Sequence, residues 1–131
     1  MKDMERFVEA HFLGIELAEA PRVAKLLFRE PNGTSFSLAA FDLHRLLVSE
    51  FRETNIVDRL ILWDSSGDPN SYRDALDELV SGKVDPQGHN WKHVVEAETR
   101  EIRDGVRVLV SIEAVFGAQV LMLARNIVVS E

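Results

Sequence analysis

Hydrophobic positions along this chain fall into short runs with two different periods. From His93 to Val129 the pattern predicts three consecutive strands. Val106, Val108, Val110 and Ile112 alternate with Arg107, Leu109, Ser111 and Glu113, the two-residue period of a half-buried strand. Asp104-Gly105 reads as the first hairpin turn and Phe116-Gly117 as the second. Near the N-terminus, Phe12–Glu19 is also strand-like. Leu13, Ile15 and Leu17 face one way and Gly14 and Glu16 the other, until Pro21, which lacks a ladder donor, breaks the run. Met4, Phe7 and Val8 are spaced for a helix, and the same stretch is equally compatible with a lead into this strand.

Arg22 to Phe41 predicts a hairpin whose register follows from its two apolar faces. Ala24, Leu26 and Phe28 share one face of the first strand, and Phe36, Leu38 and Ala40 share one face of the second. A two-residue turn at Asn32-Gly33 pairs Phe28 with Ser37 and sends the apolar faces to opposite sides. A three-residue loop, Pro31-Asn32-Gly33, pairs Phe28 with Phe36 and Leu26 with Leu38. Because a one-residue slip flips every side chain, the three-residue loop is preferred. Pro31 then opens a type I turn and Gly33 takes the left-handed conformation of a bulge.

Asp42 looks like a helix N-cap, with Phe41 packing on Leu46, and Leu43, Leu46, Leu47 and Phe51 form a helical stripe to about Glu53. Ile56–Trp63 is nearly continuously apolar, with Asp58 and Arg59 the exceptions, and reads as a central strand. The loop Ser65-Ser66-Gly67-Asp68-Pro69-Asn70 precedes a second helix. Ser71 and Asp74 resemble a capping box there, Tyr72, Ala75, Leu76, Leu79 and Val80 form the apolar face, and Gly82 ends it. Lys83–Asn90, with Pro86 and Gly88, is a connector. The expected fold is α+β: one domain over residues 1–131, a mainly antiparallel sheet of six to seven strands with a C-terminal three-strand meander, and two helices packed on one face. The one strand–helix–strand passage, from Phe36 to Ile56, leaves room for a parallel pair.

Composition narrows the chemistry. Fifteen Lys and Arg against 22 Asp and Glu give a net charge of −7, and both halves are acidic. Such a surface repels nucleic acid and anionic membrane and attracts basic proteins or cations. The chain has no cysteine, so disulfides, zinc–thiolate sites and thiol catalysis are excluded, and a cytoplasmic location is expected. The N-terminus lacks an apolar signal core, and no apolar run approaches the about 18 residues of a membrane helix.

No G-x-S-x-G and no glycine-rich phosphate loop occurs. His89 and His93 invite a metal reading with Glu96 and Glu98, but on a strand, positions four apart are separated by roughly 13 Å. No metal or cofactor is therefore expected. His11 and His44 read as structural histidines. With Asp104-Gly105 as a hairpin turn, Thr99 faces Val110, Ala97 faces Ile112, and Glu96 lies opposite Glu113 with Glu98 nearby. Such a cluster suits a cation, an acid–base pair or a basic partner, although a solvated face neutralised by Arg100 and Arg107 is the commoner arrangement. A second acidic stretch, Asp64 to Asp85, contains Asp64, Asp68, Asp74, Asp77 and Glu78, and is bracketed by Trp63, Tyr72 and Trp91. Aromatics beside acids can anchor a basic protein. The ordinary alternative is that Trp63 and Tyr72 belong to the core and the acids are solvated.

The expected function is a non-enzymatic acidic interaction domain that binds a basic protein partner. An immunity or inhibitor protein that neutralises a toxin is one concrete form. Trp63, Asp64, Asp68, Tyr72, Asp74, Asp77, Glu78, Glu96, Glu98 and Glu113 are the candidate contact residues. The alternative is a small enzyme or ligand-binding protein that uses Glu96, Glu98 or His93 in a pocket between sheet and helices.

Overall fold

The Pro31-Asn32-Gly33 loop behaves as its chemistry dictates. Gly33 has φ of 94°, its amide donates to the Glu30 carbonyl at 2.8 Å, and the loop joins β2 (Arg22–Arg29) to β3 (Ser35–Phe41) in the expected register. Phe28 pairs with Phe36, Leu26 with Leu38 and Ala24 with Ala40. β1 (His11–Glu19) pairs antiparallel with the other edge of β2, with an irregularity between Phe12 and Gly14. The computed structural model describes residues 4–82 and 91–131. His89, Asp85 and the Lys83–Asn90 connector lie outside the described residues.

Two elements differ from expectation, and one cause underlies both: pairing with a distant segment outweighs a local period. Residues 42–53 form no helix. Arg45–Ser49 is a strand, β4, paired antiparallel with β7 (Gln119–Ala124). Leu46 and Val48 turn to one core and Leu47 to another, so a strand buried on both faces mimics a helical stripe. Asp42 and Glu50, at its two ends, have positive φ, so Asp42 caps no helix. In the opposite sense, Lys92–Arg103 is a helix, α2, not a strand. Val95, Glu98 and Ile102, spaced three and four apart, form its buried face. Asp104-Gly105 closes that helix: the Gly105 amide donates to the Ile102 carbonyl, with φ of 77°. The opposition of Glu96 to Glu113 therefore does not exist.

The remaining elements are β5 (Ile56–Trp63), α1 (Pro69–Ser81), β6 (Val108–Phe116) and β8 (Asn126–Ser130), preceded by a 3₁₀ turn at Met4–Phe7. Asp68 caps α1 by accepting the Asn70 amide at 3.0 Å, with Pro69 following it, so the expected capping box at Ser71 is displaced by three residues. Among the described residues the chain is an α+β domain with one eight-stranded sheet, ordered β4-β7-β6-β5-β1-β2-β3-β8, and every neighbouring pair is antiparallel. The parallel pair that the strand–helix–strand passage left room for is absent from it, and the C-terminal meander is confined to β6 and β7, because β8 pairs with β3.

The short connections dictate the sheet's shape. Only Arg125 separates β7 from β8, which lie near opposite ends of the strand order, and only three residues separate β3 from β4. Three residues reach at most about 10 Å. The sheet must therefore curl until its ends meet, and the Arg125 amide donates across the join to the Phe41 carbonyl at 3.0 Å. The curled interior holds the main core, including Phe7, Phe12, Phe28, Phe36, Leu38, Ile112 and Met122. Tyr72, Leu76, Leu79, Val95 and Ile102 of the two helices cover Leu109, Leu121 and Leu123 on the outer face of the β4–β7–β6–β5 half, forming a second core.

Candidate functional site

Side-chain alternation on β5, β6 and β7 determines which residues reach the helix-bearing face. Val110 and Ile112 of β6 point into the curled interior, which leaves Leu109, Ser111 and Glu113 on the outside. Arg59, Ile61 and Trp63 of β5 lie beside them in register: Arg59 opposite Glu113, Ile61 opposite Ser111 and Trp63 opposite Leu109. The helices cover the Leu109 end of these rungs and leave the Glu113 end open. There the sheet and α1 form a groove of about 570 Å³. Arg59, Ile61, Ser111, Glu113 and Leu121 line its floor, Ser71, Asp74, Ala75 and Glu78 line its α1 wall, and Trp63 and Gln119 complete it. Ser71, Asp74, Ala75 and Glu78 follow helical spacing, so they form one stripe of α1 beside its buried stripe of Tyr72, Leu76 and Leu79.

Three carboxylates and one guanidinium share this groove. Arg59 Nε donates to Glu113 Oε1 at 2.5 Å, and that hydrogen bond raises the Arg59 guanidinium above its ordinary value. Among the described residues Asp74 and Glu78 make no ion pair. The Ser111 hydroxyl has no hydrogen-bond partner among them either, although Ser111 is only 8% exposed. That hydroxyl opens onto the groove floor, where it offers a ligand both a donor and an acceptor. Trp63 is half-buried, and its ring lies 6.0 Å from that of Tyr72.

The groove thus brings together four of the sequence-derived candidates: Trp63, Asp74, Glu78 and Glu113. The other six have different places. Asp64 organises its own turn, accepting the Ser66 hydroxyl at 2.6 Å and the Ser66 amide at 2.9 Å, and these bonds hold its carboxyl below the usual range. Asp68 is the α1 cap. Tyr72, 1% exposed, is a core residue and not a surface anchor; burial pushes its hydroxyl up. Asp77 is buried on α1, and Glu96 is exposed on α2 away from the groove.

Glu98 is the largest departure. It is 5% exposed, and its Oε1 accepts both His44 Nε2–H and Arg45 Nε–H at 2.9 Å, while Oε2 has no partner among the described residues. A carboxylate expected on a solvated face instead ties α2 to the start of β4. His93 is exposed on α2, apart from the groove.

Arg59, Ser71 and Gln119 were not among the sequence candidates. Arg59 carried a signal, as a charge interrupting an apolar strand; Ser71 and Gln119 carried none, since only the fold brings them to the same groove. Among the described residues no helix is long and apolar enough to cross a membrane. Compared with protein-family models, with curated proteins and with solved structures, the chain matches none of them.

Proposed function

We propose that this chain is a non-enzymatic interaction domain that docks a basic protein partner against the groove between α1 and the β5–β6–β7 face. The observation that carries this reading is the convergence of Asp74, Glu78 and Glu113 beside Trp63, with Arg59 as the only cation lining the groove among the described residues. Carboxylates on the floor and on the α1 wall attract a cationic side chain, and a half-buried indole supplies the apolar anchor that interface hot spots favour. The net charge of −7 adds long-range attraction for the same class of partner. Neutralisation of a basic toxin by an immunity or inhibitor protein is one role that fits.

A second reading, a small-ligand or enzymatic site, draws support from the groove's volume, which falls within the roughly 300–1,000 Å³ of small-molecule pockets. Its polar lining argues for a docking surface instead, because Arg59, Ser71, Asp74 and Gln119 are all solvent-exposed.

The test isolates the binding protein from native-host extract and compares its association rate with wild type and with the Asp74→Asn/Glu78→Gln/Glu113→Gln variant at two salt concentrations. Asp68 and Asp77 are left intact, since one caps α1 and the other is buried. The substitutions are expected to change stability by no more than about 0.5 kcal/mol each, to slow association and to flatten its salt dependence. Equal rates and equal salt slopes would remove the groove from the interface.

A further inference from the structure

We infer that the groove is an arginine receptor whose own Arg59 occupies it in the free protein, so that a partner's arginine binds by displacing Arg59 from Glu113. The inference rests on the docking reading above and specifies the group recognised. The groove already holds one guanidinium, at a solvent-exposed position: Arg59 donates to Glu113 through Nε, and its side chain is 61% exposed. An exposed pair of this kind contributes little to stability. Asp74 and Glu78, on the opposite wall, have no counter-charge among the described residues, and the Ser111 hydroxyl waits unpartnered on the floor. These acceptors lie in different directions around one space. A planar guanidinium with five donors can address several of them together and stack on an indole, whereas an ammonium is a compact, strongly hydrated point charge. Removing Arg59 leaves Glu113 facing Asp74 and Glu78 across the groove with nothing to neutralise it, which increases the demand for an incoming cation.

The probes are acetyl-Gly-Arg-Gly-amide and its lysine and citrulline counterparts, titrated at low salt into the whole chain. The readouts are the amide resonances of Ser111 and Gln119 and the indole resonance of Trp63. Arg59→Gln is expected to tighten arginine-peptide binding about two- to fivefold, the range spanned by an exposed ion pair. The lysine peptide should bind more weakly than the arginine peptide, and the citrulline peptide, isosteric but uncharged, weakest of all. Lys25→Gln, an exposed position on β2 away from the groove, makes the same change in net charge and should leave affinity unchanged.

Arginine and lysine peptides that bind alike would overturn arginine recognition while leaving a basic partner possible. Equal affinities of wild type and Arg59→Gln, or equal gains from Arg59→Gln and Lys25→Gln, would overturn the displacement. Failure of all three peptides to move the groove resonances would overturn the receptor itself. The docking reading stands or falls separately, on the association rates of the whole partner.

Discussion

Asn55→Ala removes a side chain on which three segments converge. Its Oδ1 accepts the Arg52 and Ala118 amides, each at 2.9 Å, and its Nδ2 donates to the Arg52 carbonyl at 2.8 Å and the Phe12 carbonyl at 3.4 Å. These bonds join the loop before β5, the start of β1 and the β6–β7 turn. Asn55 and Ala118 are each 3% exposed, so truncation leaves the Ala118 amide buried without an acceptor, at a cost of about 1–3 kcal/mol. Arg52 is exposed, and its amide and carbonyl regain water, so those two bonds cost about 0.5–1.5 kcal/mol each. The Phe12 contact is too long to add much. The expected loss is about 2–6 kcal/mol, a large share of the roughly 5–15 kcal/mol that holds a domain folded. Asn55→Asp keeps the acceptor but replaces the donor with an oxygen facing two carbonyls, and it buries a charge, so it should be no milder. Urea unfolding followed by tryptophan fluorescence gives the stabilities, and hydrogen exchange at the Ala118 amide gives the local effect. A loss below about 0.5 kcal/mol with unchanged exchange would refute the reasoning.

Gly33→Val should destabilise the β2–β3 hairpin by at least about 1 kcal/mol, because a β-branched residue is strained at φ of 94°; an unchanged urea midpoint would count against this. Leu76→Ala, at a site with no solvent exposure at the centre of the helix-covered core, should cost about 2–5 kcal/mol by the same assay. Asp64 has a depressed carboxyl, so its contribution is present above the ordinary value of about 3.9 and is lost as pH falls through its lower folded value. The stability difference between wild type and Asp64→Asn should therefore shrink on acidification in urea midpoints measured on both sides of that window; a growing difference would reverse the sign.

Where one face of an element met one apolar surface, local pattern was enough. The register of β2 on β3 follows from two apolar faces and the chemistry of Pro31-Asn32-Gly33. The helix ending at Gly82 follows in the same way, and so does the α+β class; Ile56–Trp63, covered on both faces, was legible as a strand from its nearly continuous apolar run. Pattern failed where two-sided burial gave a helix-like spacing, or where a polar group interrupted the stripe. Leu46 and Leu47, read as part of a helical stripe with Leu43 and Phe51, are strand residues that turn to opposite faces of β4. Val95 and Ile102 of α2 were hard to recognise as one stripe because Glu98, buried by its bonds to His44 and Arg45, stands between them. Those bonds join residues more than fifty positions apart and have no local signature. Gly117 makes the same point: its left-handed φ suits a turn, but a Cβ there would also lie 2.4 Å from Asn55 Oδ1. Composition determined an acidic protein without thiol chemistry. Only the curled sheet, by turning Glu113 and Arg59 toward the α1 stripe of Asp74 and Glu78, decided which acids share a groove, because a strand's facing depends on its partner as well as its own sequence.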